Sequence, residues 1–473
     1  MKIKSIAAIL FLVQSLAVSS QAGEAFSSLA VLRGEPGSTA PAVPAPQAAA
    51  APVNSPENPA PLKEWTVMYF INGSNNLAPY FLGDAIQIAA TGESDDVNVA
   101  MEYSVMPGGE GKSYARRLRL TRGEGGKKTA DVYGDWENRD MGDWRTLADF
   151  VSWARASFPA RRYMLVVQNH GGGFVDETVR PKNSNKGISY DDVSNNYIKT
   201  PELARVLAKT GRVDLLVLNA CEMQMAEVAY EIGSGADVLI ASEELDRTVF
   251  FQPAERLEHL KAFAKEDTGM IAAGFIALRD RLVEPGNAVS YVYGTSTQTY
   301  VVGKDIPSTL SAVRTSELAL LPGDLDRWTA AVMEAGEEDA VKFAVAYTMR
   351  LGVLKPSQQP FSQFTDLYSF VRLVDSSTAS EKVRRASSKL FTRLEKIVAW
   401  NSAANTNASG VDYYRDAHGL GIKMIPLSPV RPAAVNPYVT VTVDTPYADL
   451  RLSKDSSWDE FLAWVGQVYY RPR

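Results

Sequence analysis

The stretch Tyr163-Met164-Leu165-Val166-Val167-Gln168-Asn169-His170-Gly171-Gly172-Gly173 decides how the chain is read. An unbroken apolar run of this length suits a strand buried on both faces, and the asparagine and glycines that follow end it in a turn. A histidine therefore stands at a strand's carboxyl end. Downstream, residues 213–219 form a second such run, closed by Ala220-Cys221. Upstream, residues 66–71 end in Asn72-Gly73-Ser74-Asn75, residues 97–103 give a further strand, and residues 238–242 complete the series. Residues 115–121 read as a shorter strand of an antiparallel ribbon. Helical spacing fills the gaps at 77–90, at 144–157 behind a capping Asp143, from Thr200-Pro201-Glu202 onward, and at 222–232.

Nearly continuous apolar strands alternating with helices predict an α/β fold with a mostly parallel central sheet and helices on both faces. Such sheets bind ligands at the carboxyl ends of their strands. His170 and Cys221 both occupy that edge, on separate strands, and are expected to meet across one crevice. Beyond about residue 253 the pattern is mixed and largely helical, with helical stretches at 307–321, 367–374 and 381–400 and strands near 288–293 and 419–425.

The chain has 473 residues and a net charge of −6, with no basic excess to neutralise a phosphate backbone, so a nucleic-acid partner is not expected. The single cysteine excludes an internal disulfide framework and a zinc site built on several thiolates. Lys2 and Lys4 precede an apolar stretch over residues 6–18, followed by Ser20-Gln21-Ala22, which predicts a signal peptide over 1–22 and export to the periplasm or the extracellular space. The stretch is too short to span a bilayer, and no later run approaches that length. Residues 23–62 hold eight of the 25 prolines and read as a Pro/Ala-rich linker or propeptide. No metal site is read from the spacing, and oligomeric state is not encoded in any repeat.

Three histidines are present, His170, His259 and His418. His259 falls in a charge-rich helical pattern and reads as a solvated surface residue, and His418 precedes Gly419 at a turn. His170 stands apart because glycines follow it directly. Consecutive glycines let the backbone approach a ligand and turn N–H groups toward an oxyanion formed in acyl transfer. Cys221, at the start of an expected helix, gains acidity from the helix dipole. A thiolate to attack a carbonyl and an imidazole to protonate the departing amine are what a cysteine hydrolase needs.

Together, Trp65 to Gly73 with Asn75-Asn76-Leu77, then Asn169-His170-Gly171-Gly172-Gly173, then Asn219-Ala220-Cys221-Glu222-Met223, then Ala241-Ser242-Glu243-Glu244 resemble the clostripain-like cysteine peptidases of the caspase-like clan. A histidine about 50 residues upstream of the cysteine agrees with the caspase arrangement. The resemblance implies a caspase-like sandwich with a catalytic core over 63–252 and a carboxyl-terminal region, 253–473, packing on it. Gly419-Leu420-Gly421-Ile422 resembles the family's closing strand. By this resemblance Cys221 is the nucleophile, His170 the general acid, and the N–H groups of Gly171 or Gly172 and of Cys221 the oxyanion hole. No cofactor is required for that chemistry. The partner is a protein or peptide substrate.

One position departs from the family. Relatives have an aspartate two residues before the cysteine, at the base of the pocket for arginine or lysine, and here that residue is Asn219. A neutral amide offers no full charge to a buried cation, so basic specificity is not expected from it. Ser242, Glu243 and Glu244, at the next strand's end, are the candidates for supplying a substrate contact. The resemblance also implies self-cleavage in the loop holding Arg180, Lys182 and Lys186. Calcium is possible, with Asp176, Glu177, Asp191 and Asp192 as oxygen donors. The alternatives are a non-catalytic secreted binding module that keeps the fold, and a transferase or ligase using the same acyl-enzyme.

Overall fold

The computed structural model describes residues 62–107, 111–122, 128–174, 187–303, 308–353, 356–404, 413–428 and 447–471. The signal peptide and nearly all of the linker lie outside the described residues, as do Arg180, Lys182 and Lys186.

In chain order the elements positioning the site are β1 (Lys63–Gly73), α1 (Ala78–Thr91), β2 (Val97–Val105), β3 (Tyr114–Arg122), β4 (Lys128–Glu137), α2 (Trp144–Ser157), β5 (Ala160–Gln168), β6 (Ile188–Asp191), β7 (Asn196–Ile198), α3 (Thr200–Thr210), β8 (Val213–Asn219), α4 (Ala226–Ile232) and β9 (Ala236–Ala241). There follow α5 (Pro253–Ala262), α6 (Thr268–Leu282), β10 (Ala288–Tyr293), β11 (Ser296–Val301), β12 (Ser308–Arg314), α7 (Leu321–Ala335), α8 (Glu338–Tyr347), β13 (Phe364–Asp366), α9 (Leu367–Ser377), α10 (Glu381–Ile397), β14 (Val398–Ala404), β15 (Gly421–Lys423), α11 (Arg451–Asp455) and α12 (Trp458–Tyr469).

One sheet of nine strands organises the molecule, in the order β14-β12-β9-β8-β5-β1-β2-β3-β4. Its centre, β9 through β2, is parallel, and an antiparallel pair extends each end. The central strands are apolar on both faces because both faces are covered. Along β5, Leu165 and Val167 enter one core with Leu216 and Leu218 of β8, whereas Met164 and Val166 enter the other with Leu215 and Val217. The first core is roofed by α2, α3, α4 and the later helices α7 to α10 and α12. The second is roofed by α1, α5 and α6. Asp143 caps α2 as its position predicts, accepting from Arg145 N at 2.8 Å.

Several expectations beyond residue 253 are corrected. Residues 308–314 form a strand rather than a helix, and the stretch read as helix through residue 400 ends at Ile397 and continues as β14. Both strands pair in the main sheet, β12 lying between β9 and β14. The closing strand around Gly421 is short; it pairs with β13 and bridges to Met225.

Candidate active site

β5 and β8 are neighbours in register, Gln168 opposite Asn219, so the residues two further along, His170 and Cys221, leave the sheet side by side. Asn169 N donates to Asn219 O at 3.2 Å and holds the two exits together. Gly171 is pressed against the cysteine: a β-carbon there would lie 2.3 Å from the Cys221 carbonyl oxygen and 3.0 Å from its amide nitrogen. Only glycine permits that approach.

Asparagines brace the surrounding loops. Asn72 Nδ2 donates to Ser189 Oγ and Tyr190 O at 3.2 and 3.1 Å, Asn75 Nδ2 to Tyr190 O at 2.7 Å, and Asn169 Oδ1 accepts from Tyr190 N at 2.7 Å. Asn76 touches the imidazole itself: its Oδ1 lies 2.7 Å from His170 Nε2. With that oxygen as acceptor, the ring carries its proton on Nε2 and keeps Nδ1 as its basic nitrogen. Burial pushes the His170 pKa down to about 4, so the ring is neutral near pH 7.

Cys221 is half-buried and unpaired. Its Sγ accepts from Asp246 N at 3.2 Å and faces Asp246 O at 3.6 Å. The expected helix-dipole activation is not present. Glu222 adopts a left-handed φ of 56°, its N–H donates to Glu244 O at 3.2 Å, and α4 begins only at Ala226. Burial instead raises the Cys221 pKa well above the ordinary thiol range, against the lowering effect of the Asp246 N–H. The resting pair is thus a thiol and a neutral imidazole, with no hydrogen bond between them. Alkylation by iodoacetamide is therefore expected to accelerate about tenfold per pH unit from pH 7 without levelling before pH 10. A plateau below pH 7 would reveal a thiolate–imidazolium pair and contradict this geometry.

The glycines divide in role. Gly172 N–H donates to Gly187 O at 3.1 Å and is already committed, which removes it from the expected oxyanion donors of this arrangement. Gly171 N–H and Cys221 N–H have no hydrogen-bond acceptor among the described residues. Those two remain as adjacent donors.

Other candidates are placed differently. Ser242, Glu243 and Glu244 are all buried. Ser242 Oγ bonds to Thr309 Oγ1 and Glu244 O at 2.8 and 2.9 Å. Glu243 accepts from Gly419 N at 3.3 Å and its pKa is raised by burial and by Asp366. Glu244 accepts from Leu245 N, Gly352 N and Tyr414 Oη at 2.7, 2.9 and 2.6 Å. Their carboxylates fasten the end of β9 to the later half of the chain and do not replace the charge missing at Asn219. His259 is packed against Phe263 and Phe275 with its Nε2 buried, in place of the expected solvated position. His418 stacks on Tyr368 and lies 3.6 Å from Asp366, which raises its pKa against the opposing effect of burial.

Asp191 spends its carboxylate on the N–H groups of Met141, Val193 and Ser194. Among the described residues no group of three or more ligating side chains is placed to hold a metal ion, and Asp176 and Glu177 lie outside them. A cavity of about 430 Å³ lined by Arg212, Asp237, Asp267 and Trp400 sits at the amino ends of β8 and β9, away from the paired strand exits. Among the described residues no helix is long and apolar enough to cross a membrane.

Beneath Cys221 lies a polar chain that the sequence alone does not disclose. Asn219 Oδ1 accepts from Arg256 Nη1 at 2.8 Å, Asn219 Nδ2 donates to Gln168 Oε1 at 3.1 Å, and Gln168 Nε2 donates to Asp84 Oδ2. A guanidinium can only donate, so it fixes the orientation of both amides in the series. Burial raises the Asp84 pKa to about 8.

The sequence pattern of the clostripain family matches residues 69–464. Clostripain of Hathewaya histolytica is 30% identical over 224 residues, which is 40% of this chain and 41% of that protein, so the match spans less than half of clostripain's length. The fold is similar to that of a secreted C11 cysteine protease from Bacteroides thetaiotaomicron in complex with an irreversible peptide inhibitor, at 17% identity and a TM-score of 0.56. It is also similar to an inactive zymogen C11 protease from Parabacteroides distasonis, at 18% identity and a TM-score of 0.57. Each alignment covers 84% of this chain and 99% of the other. With the family pattern running from β1 to α12, the chain belongs to the clostripain family of cysteine peptidases.

Proposed function

We propose that the protein is an exported cysteine endopeptidase that cleaves peptide bonds through Cys221 and His170. The observation that carries this is the register of β5 with β8, which sets the imidazole and the sulfur at adjoining strand exits with Gly171 closed against the cysteine backbone.

In this mechanism a peptide lies across the exits with its scissile carbonyl over Cys221. As sulfur attacks the carbonyl carbon, the thiol proton passes to His170 Nδ1, and the carbonyl oxygen gathers negative charge between Gly171 N–H and Cys221 N–H. The imidazolium then protonates the departing amine as the carbon–nitrogen bond breaks, leaving a thioester. Water attacks the thioester, its proton goes to His170, and the thiol leaves reprotonated with the acid product. Asn76 holds the ring through Nε2 during both transfers. The neutral resting pair is compatible with this cycle, because active-site hydrogen bonds tighten when substrate excludes water.

The full chain incubated with an unfolded protein should generate new amino termini and free carboxylates. Release of products joined to an added amine, in yield comparable with hydrolysis, would turn the assignment to a transferase. Absence of any cleavage would leave a binding module. Export rests on the signal-peptide pattern of residues 1–22, and the secreted protease from Bacteroides thetaiotaomicron is in keeping with it.

A further inference from the structure

Side chains alternate along a strand, so Asn219 shares a face with Leu215 and Val217, and Gln168 with Met164 and Val166. That face is otherwise an apolar core under α1, α5 and α6. At its upper end, next to the exits that carry Cys221 and His170, the apolar residues give way to Asp84, Gln168, Asn219 and Arg256, all buried. Packing does not require such a series. This polar end lies two residues before the sulfur, with the Arg256 guanidinium bonded to Asn219.

Arg256 is the anomaly within the series. It is 4% exposed, and among the described residues its guanidinium makes one hydrogen bond, to a neutral amide, and has no carboxylate within ion-pair distance. The nearby Asp246 is engaged by Arg279, whose own charge also bears on Arg256. Glu255 is turned outward to solvent. Burial lowers the Arg256 pKa only to about 10, so it stays charged at neutral pH. Asp246 and Glu255 act on Arg256 only through space, and a buried cation with no carboxylate in contact is costly.

The backbone is bent to bring it there. Gln252, immediately before α5, adopts a left-handed φ of 41° unusual for a residue other than glycine. Its side chain is held by Val249 O at 2.8 Å, and Tyr69 Oη donates to Pro253 O at 3.2 Å, pinning the first turn of α5 over β1.

We propose that Arg256, presented by Asn219 beneath the nucleophile, selects a substrate with an acidic side chain, aspartate or glutamate, on the amino side of the scissile bond. The inference rests on the peptidase reading above. An incoming carboxylate supplies the anion that the fold withholds, and an incoming arginine or lysine meets a resident like charge.

The test uses the full chain and peptidyl acyloxymethyl ketones that differ only in the terminal residue, aspartate, glutamate, alanine, arginine or lysine, with the rate of Cys221 labelling followed by mass spectrometry. The acidic probes should react at least about tenfold faster than the basic ones, as one charge-assisted hydrogen bond provides. In Arg256→Gln the ratio of acidic to alanine rates should fall about 10- to 100-fold, with partial recovery in Arg256→Lys. Asn219→Asp, which hands Arg256 a resident carboxylate, should lower the same ratio. Basic probes that match or exceed acidic ones in the wild-type chain overturn the inference while leaving the peptidase intact, as does a ratio unchanged in Arg256→Gln. Labelling by none of the probes removes the peptidase reading itself.

Discussion

Cys221→Ala should lower peptide hydrolysis by roughly 10⁴- to 10⁶-fold, the loss seen when a covalent nucleophile is deleted and only positioning and oxyanion donors remain. Little else should change. Among the described residues the sulfur's hydrogen-bond contacts are to the Asp246 backbone, and Gly171 packs on the Cys221 backbone rather than on its side chain. The substitution therefore leaves the strand exits in place, and the thermal midpoint should stay within a few degrees of wild type. Rates followed by mass spectrometry on an unfolded protein substrate decide the matter. A variant that retains activity within tenfold of wild type would move the nucleophile elsewhere, and the chain has no other cysteine to take its place.

The second large effect is expected at His170. Its replacement by alanine should cost about 10²- to 10⁴-fold on peptide amides, the usual span for a positioned acid–base group. The loss should depend on the leaving group, because in the proposed mechanism the imidazole protonates a poor one. An activated aryl ester, whose leaving group departs as the anion, should therefore lose much less than the amide. Equal losses on the two substrates would assign His170 to shaping the loop rather than to proton transfer. Asn76→Ala, which frees Nε2, should share the direction of the effect with a smaller size.

The sheet's centre was legible in the sequence because covering both faces leaves no alternation to confuse the reading: residues 66–71, 163–168 and 213–219 are nearly continuous apolar runs, and each lies in a strand. The placement of His170 and Cys221 at neighbouring strand exits was legible for a related reason, since each stands two residues beyond one of those runs. Residues 308–314 were not, because Ser311 and Ala312 between Leu310 and Val313 break the apolar pattern, and their strand exists through pairing with β9 and β14. The start of α4 was missed because residues 222–225 have helical composition, and the left-handed turn at Glu222 is set by the contact of its N–H with Glu244. Arg256 was invisible as a site residue for a similar reason. It lies 37 positions from Asn219 in sequence and reaches it only once α5 has packed on β1 and β8.

The sheet has one further implication, which concerns timing. β9 borders the strand that delivers Cys221, and its other edge is covered by β12, which in turn is covered by β14 near residue 400. As the polypeptide leaves the ribosome or a translocation pore, that edge stays an open hydrogen-bonding template until β12, about 70 residues further on, has emerged, and β12 stays open in turn until β14 follows near residue 400. A nascent chain can pair β5 with β8 early, yet the wall beside its reactive sulfur closes late. The side of the sheet next to these strand exits is thus among the last to become rigid, when most of the chain is already outside the channel that released it.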